Sequence, residues 1–136
     1  MEHNRDSTLR VVLLEPGKLA VQAEIGASLK DMQRLVGGYI EAIYPFEEEV
    51  CIVCNEEGKI NGMPLNRTVY GEDGEMLDII AGPAFICDCS GENFGSLSEE
   101  QLSRYIKQFR LPQHFFKVNN EIMAVPYKPA TQDRDR

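Results

Sequence analysis

Apolar residues fall on both faces of Leu9-Arg10-Val11-Val12-Leu13-Leu14, the pattern of a strand interior to a sheet. In Glu15-Pro16-Gly17-Lys18, Pro presets the first central position of a type II turn and Gly supplies the positive φ of the second. The turn leads into Leu19–Ile25, where Leu19, Val21, Ala23 and Ile25 alternate with Gln22 and Glu24 as in a strand with one wet face. Ser28 is placed to cap a helix, with Asp31 three residues on. Leu29, Met32, Leu35 and Val36 form its apolar stripe before Gly37-Gly38 ends it. Strands are predicted at Tyr39–Tyr44 and Val50–Cys54, on either side of Pro45 and the Glu47-Glu48-Glu49 run. After a turn at Asn55–Lys59 the periodicity fades from Ile60 to Gly74, and Asn61–Arg67 reads as an ordered loop or one irregular turn. Leu77–Ile80 and Ala84–Cys87 read as one long strand bent at Ala81-Gly82-Pro83.

A second helix is marked at several levels over Ser98–Phe109. Ser98 and Gln101 form a capping box, Leu97 and Leu102 a hydrophobic staple, and Glu99-Glu100 complement the helix dipole. Its core face is Leu102, Tyr105, Ile106 and Phe109, and Pro112 stops it. Beyond it, Phe115–Val125 reads as a hairpin around Asn119-Asn120 or as an extended cover over the sheet. The order predicts an α+β fold, a mixed and largely antiparallel sheet of about five strands with two helices packed on it. Residues 9–127 are expected to form one domain, with disordered segments at 1–8 and 128–136.

No apolar run is long enough for a bilayer crossing, and the first residues lack the basic start and apolar core of a signal peptide, so a cytoplasmic protein is expected. The net charge of −8 is unevenly spread: residues 41–100 carry fourteen acids against Lys59 and Arg67 alone. That balance argues against direct nucleic-acid binding, which draws on Lys and Arg, and leaves solubility or a basic partner. The four cysteines, Cys51, Cys54, Cys87 and Cys89, suggest zinc. On a β-branched strand, however, Cys51 and Cys54 face opposite sides, so buried free thiols are the expectation and neither metal nor cofactor is expected.

With only His3 and His114 present, and no phosphate-binding glycine loop or nucleophile elbow, no catalytic residue is assigned and the protein is not expected to be an enzyme. Glu56 and Glu57 with Asp78 or Asp88 are the available paired carboxylates, and solvated turn residues are their simpler explanation. Gly37, Gly38, Asn66 and Arg67 are candidates for approaching an anionic ligand, with Asn55 beside them at a strand end. Stapling of the 60–67 loop is the competing role for Asn55, Asn66 and Arg67. Glu47, Glu48 and Glu49 are the candidate partner surface.

Five segments occur in a familiar order: Val36–Glu41, Cys54–Lys59, Pro64–Arg67, Asp78–Gly82 and Asn93–Leu97. Over Leu9 to Phe109 the chain resembles domain of unknown function family 3846, short proteins of phages, plasmids and conjugative elements for which no activity is established. The resemblance implies a non-enzymatic accessory protein of a mobile genetic element, binding a host or defence protein through an acidic surface. Alternatives are binding or sequestration of a nucleotide-type small molecule and, third, a metal-assisted hydrolase on clustered carboxylates. No membrane or nucleic-acid partner is expected.

Overall fold

Segments that are apolar on both faces lie at the middle of the main sheet. In the computed structural model, which describes residues 7–130, five strands pair in the order β2-β1-β7-β4-β3. These are β1 (Thr8–Leu14), β2 (Val21–Gly26), β3 (Ile40–Ile43), β4 (Val50–Asn55) and β7 (Ala84–Asp88). Every neighbouring pair is antiparallel. On one face Leu9, Val11, Cys51, Val53, Phe85 and Cys87 pack under Met32 and Val36 of helix α1 (Leu29–Val36). On the other, Val12, Leu14, Val50, Ile52, Cys54 and Ile86 pack under helix α2 (Glu99–Gln108) and under Val69 and Ile80 of a two-stranded sheet, β5 (Leu65–Tyr70) and β6 (Met76–Ala81). Burial on both faces is why these strands lack a polar alternation.

The α+β class holds, and both helices begin and end where their caps place them. Ser28 Oγ accepts from Asp31 N–H, and Gly37 closes α1 at φ +85°. Ser98 and Gln101 form the reciprocal capping box of α2. Leu29 sits on the exposed side of α1, and Val21 is exposed on the edge strand β2, so two positions assigned to apolar faces lie outside the core.

Two larger expectations are corrected. Residues 65–70 form a strand, not part of a loop. Asn66, Arg67 and Thr68 are buried there as polar residues, which hides the apolar signature of an interior strand. The bend at Ala81-Gly82-Pro83 does not interrupt one strand but transfers the chain between sheets, since β6 pairs with β5 whereas β7 is central in the main sheet. Gly82 makes the transfer at φ +82° while its N–H donates to Pro64 O at 2.8 Å, and a Cβ there would meet Met63 Sδ at 2.8 Å.

After α2, β8 (Gln113–Val118) and β9 (Glu121–Pro126) form a separate hairpin. Asn119 and Asn120 both take positive φ, as its two-residue turn demands. Gln113 ties its base to the body, its Oε1 accepting from Thr68 N–H at 2.8 Å. Thr8 opens β1 and Pro129 is buried, while the disorder expected of residues 1–6 and 131–136 falls outside the described residues. No helix of the described residues is long and apolar enough to cross a membrane.

Candidate functional site

β5 brings Asn66 and Arg67 into the interior side by side. Asn66 Nδ2 donates to Leu14 O at 2.9 Å and to Gly82 O at 2.8 Å, joining the end of β1 to the sheet-to-sheet bend. Arg67, only 1% exposed, donates from Nε to Phe109 O at 3.0 Å, from Nη2 to Lys18 O at 2.7 Å and from Nη1 to Asn66 Oδ1 at 3.0 Å, with longer contacts to Glu15 O and Asn66 O. Among the described residues no carboxylate pairs with it. Burial pushes the guanidinium down to about 10, so it remains charged at neutral pH among carbonyl dipoles. These bonds link the β1–β2 turn, β5 and the end of α2, the stapling role weighed for both residues.

Gly37, Gly38 and Asn55 form a second, separate staple. Asn55 Nδ2 donates to Val36 O at 3.1 Å and Oδ1 accepts from Glu57 N–H at 2.7 Å, satisfying the C-terminus of α1 and the turn after β4 together. A Cβ on Gly38 would lie 2.8 Å from Asn55 Nδ2, so the glycine admits the amide, not a ligand. Gly38 and Asn66 are therefore taken up by the protein's own groups, as are all but one of the N–H groups of Arg67, and the four residues do not form the anion site suggested for them.

The Glu47-Glu48-Glu49 run divides. Glu48 turns inward and accepts from Arg104 Nη1 at 2.6 Å, from Gln101 Nε2 at 3.1 Å and from the Tyr105 hydroxyl, fastening the β3–β4 loop to α2. The Arg104 hydrogen bond leads in holding the Glu48 carboxyl down to about 2, and the Tyr105 bond adds to it. Glu47 and Glu49 face solvent. Glu47 and Glu72 of the β5–β6 turn line one recess, and the closeness of the Glu47 carboxyl, with Asp73 nearby, raises the Glu72 carboxyl above its usual value. Glu72 was not among the sequence candidates, because only the fold brings the two loops together.

Cys51, Cys54 and Cys87 are buried free thiols and Cys89 is half-buried, with Cys51 and Cys54 on opposite faces of β4. Cys51 and Cys87 are register partners with sulfurs 3.9 Å apart, and their contact, with burial, pushes the Cys51 thiol far up. Asp78 lines one small recess with Glu56 and Glu57 but is paired there with Lys59 at 2.7 Å, and Asp88 accepts from Ser90. Among the described residues no group of three or more histidines, cysteines or carboxylates is arranged to hold a metal ion. His114 stacks on Tyr127 with centroids 3.8 Å apart, and His3 lies outside the described residues.

A family match extends over residues 9–110, three-quarters of the chain. The chain belongs to the domain of unknown function DUF3846. The matched region takes in the main sheet, the β5–β6 pair and both helices and ends just after α2, so the β8–β9 hairpin lies outside it. Of the segments that carried the resemblance, Val36–Glu41 holds the Gly37-Gly38 end of α1 and Cys54–Lys59 holds Asn55. Pro64–Arg67 and Asp78–Gly82 enclose the Asn66 staple, so these four segments hold Asn55, Asn66 and Arg67, whose side chains make interior polar contacts in this chain. No curated protein and no solved structure matches the chain.

Proposed function

We propose that this DUF3846 protein is a non-enzymatic accessory of a mobile genetic element that binds a basic surface on a host or defence protein. The observation that carries this reading is the meeting of Glu47 and Glu72 on one recess: two loops hold acidic side chains against each other with Asp73 beside them, a destabilising arrangement that a basic partner would relieve. Glu48, latched to Arg104 and Tyr105, keeps the β3–β4 loop in place so that Glu47 and Glu49 remain outward. The candidate polar residues of the interior are occupied by structural hydrogen bonds, which supports binding at the surface in preference to chemistry within.

The test is capture of host proteins on the immobilised full chain at low and high salt. A stoichiometric partner should be held at low ionic strength, released as salt screens the contact, and lost by a Glu47→Lys/Glu72→Lys double variant, whereas Glu92→Lys, an exposed change elsewhere, should retain it. Equal capture by all three proteins would end the acidic-surface reading.

A further inference from the structure

Beside the acidic end, and sharing Tyr70 and Gln108 with it, lies a cleft of about 330 Å³ between β5, the end of α2 and the base of the hairpin. Arg67, Lys107 and Arg110 line it together with Thr68 and Gln113, and no carboxylate does. In a chain with twenty-two acids and fourteen bases, three cations converging without one acid is a marked local reversal of charge. Lys107 and Arg110 are exposed and form no ion pair among the described residues. Of the five N–H groups of Arg67, the second Nη2 hydrogen has no protein acceptor among the described residues, although the side chain is buried.

The C-terminus of α2 would by itself repel an anion, but the carbonyl of its cap residue, Phe109, is turned to Arg67 Nε, and that of Arg110 just beyond accepts from Ala20 N–H. What the cleft presents is positive charge above a partly desolvated guanidinium, with an amide from Gln113 and the half-exposed ring of Tyr70 at its margin. We infer that this cleft binds a small phosphate-bearing molecule, its phosphate held between Lys107 and Arg110 over Arg67. The volume suits a compact ligand, and the neighbouring Glu47–Glu72 wall repels an extended polyanion, so a nucleic-acid strand is excluded where a pyrophosphate or nucleotide fits.

Isothermal titration of the full chain with pyrophosphate, ADP, sulfate and a single-stranded oligonucleotide tests this. Pyrophosphate or ADP should bind with one site per chain, and Lys107→Glu or Arg110→Glu should weaken that by about tenfold or more with an unchanged melting temperature. Lys30→Glu, on α1, should leave it unchanged. ADP binding more tightly than pyrophosphate would assign a contact to the base, with Tyr70→Ala then removing the difference; equal affinities would assign the site to the phosphates alone. Failure of both probes to bind, binding that survives Lys107→Glu and Arg110→Glu, or an oligonucleotide or sulfate binding as tightly as either would overturn the inference.

Discussion

Arg67 carries a full charge into the interior with carbonyl oxygens as its main acceptors, so its removal takes the donor from Lys18 O in the β1–β2 turn and from Phe109 O at the end of α2 at once. Arg67→Met is expected to cost about 3 kcal/mol or more, from unpaired buried carbonyls together with lost packing. Lysine cannot reproduce the fork, and Arg67→Lys should recover only a minor part of the loss. Urea denaturation midpoints give the answer, and a midpoint for Arg67→Met equal to that of the native chain would show that the network adds no net stability. Glu48 makes a prediction of opposite character. Its folded-state value is depressed from 4.5 to about 2, so its contribution is present above the unfolded value and is lost as the pH falls toward the folded one. Melting temperatures of the native chain should decline between about pH 4.5 and pH 2 more steeply than those of Glu48→Gln. Parallel profiles would show that the latch to Arg104 and Tyr105 does not titrate there.

At the scale of elements, α2 illustrates what a sequence can disclose. Ser98, Gln101, Leu97 and Leu102 act within a few residues of one another, and the helix begins at the residue their chemistry specifies. Leu102→Ala should cost about 2–5 kcal/mol by opening a cavity beneath the sheet, whereas Ser103→Ala on the exposed side should stay within about 0.5 kcal/mol. Calorimetry on both variants checks the orientation of the helix; similar losses would refute it. β5 illustrates the opposite case. Asn66, Arg67 and Thr68 are as buried as a valine strand, but what permits their burial is the carbonyls of Leu14, Lys18, Gly82 and Phe109 and the amide of Gln113. Those partners lie far away in sequence, so no local window shows that the polar run is interior. The same distance hides the bend at Gly82, where only the pairing partners distinguish one kinked strand from two strands in two sheets.

Across the whole molecule, the acidic central stretch was legible from counting alone, and its separation into an inward Glu48 and an outward Glu47 meeting Glu72 was not. The cationic cleft was equally hidden, because Lys107 and Arg110 follow an acidic region in sequence and meet Arg67 only through the docking of α2. The main sheet has a further consequence for how the chain reaches this state. β7 sits between β1 and β4, pairing Ile86 with both Val12 and Ile52, yet it begins at Ala84, long after β1 ends at Leu14. Folding therefore waits on a distant loop closure, which places it in the slower millisecond-to-second range typical of non-local β topologies. Amide hydrogens at these three positions should exchange with deuterium only through global opening, on one common timescale, while those of the β8–β9 hairpin exchange much earlier. During synthesis on the ribosome, every chain stopped short of Ala84 carries two apolar strands with open edges, and such intermediates are the species most prone to aggregate.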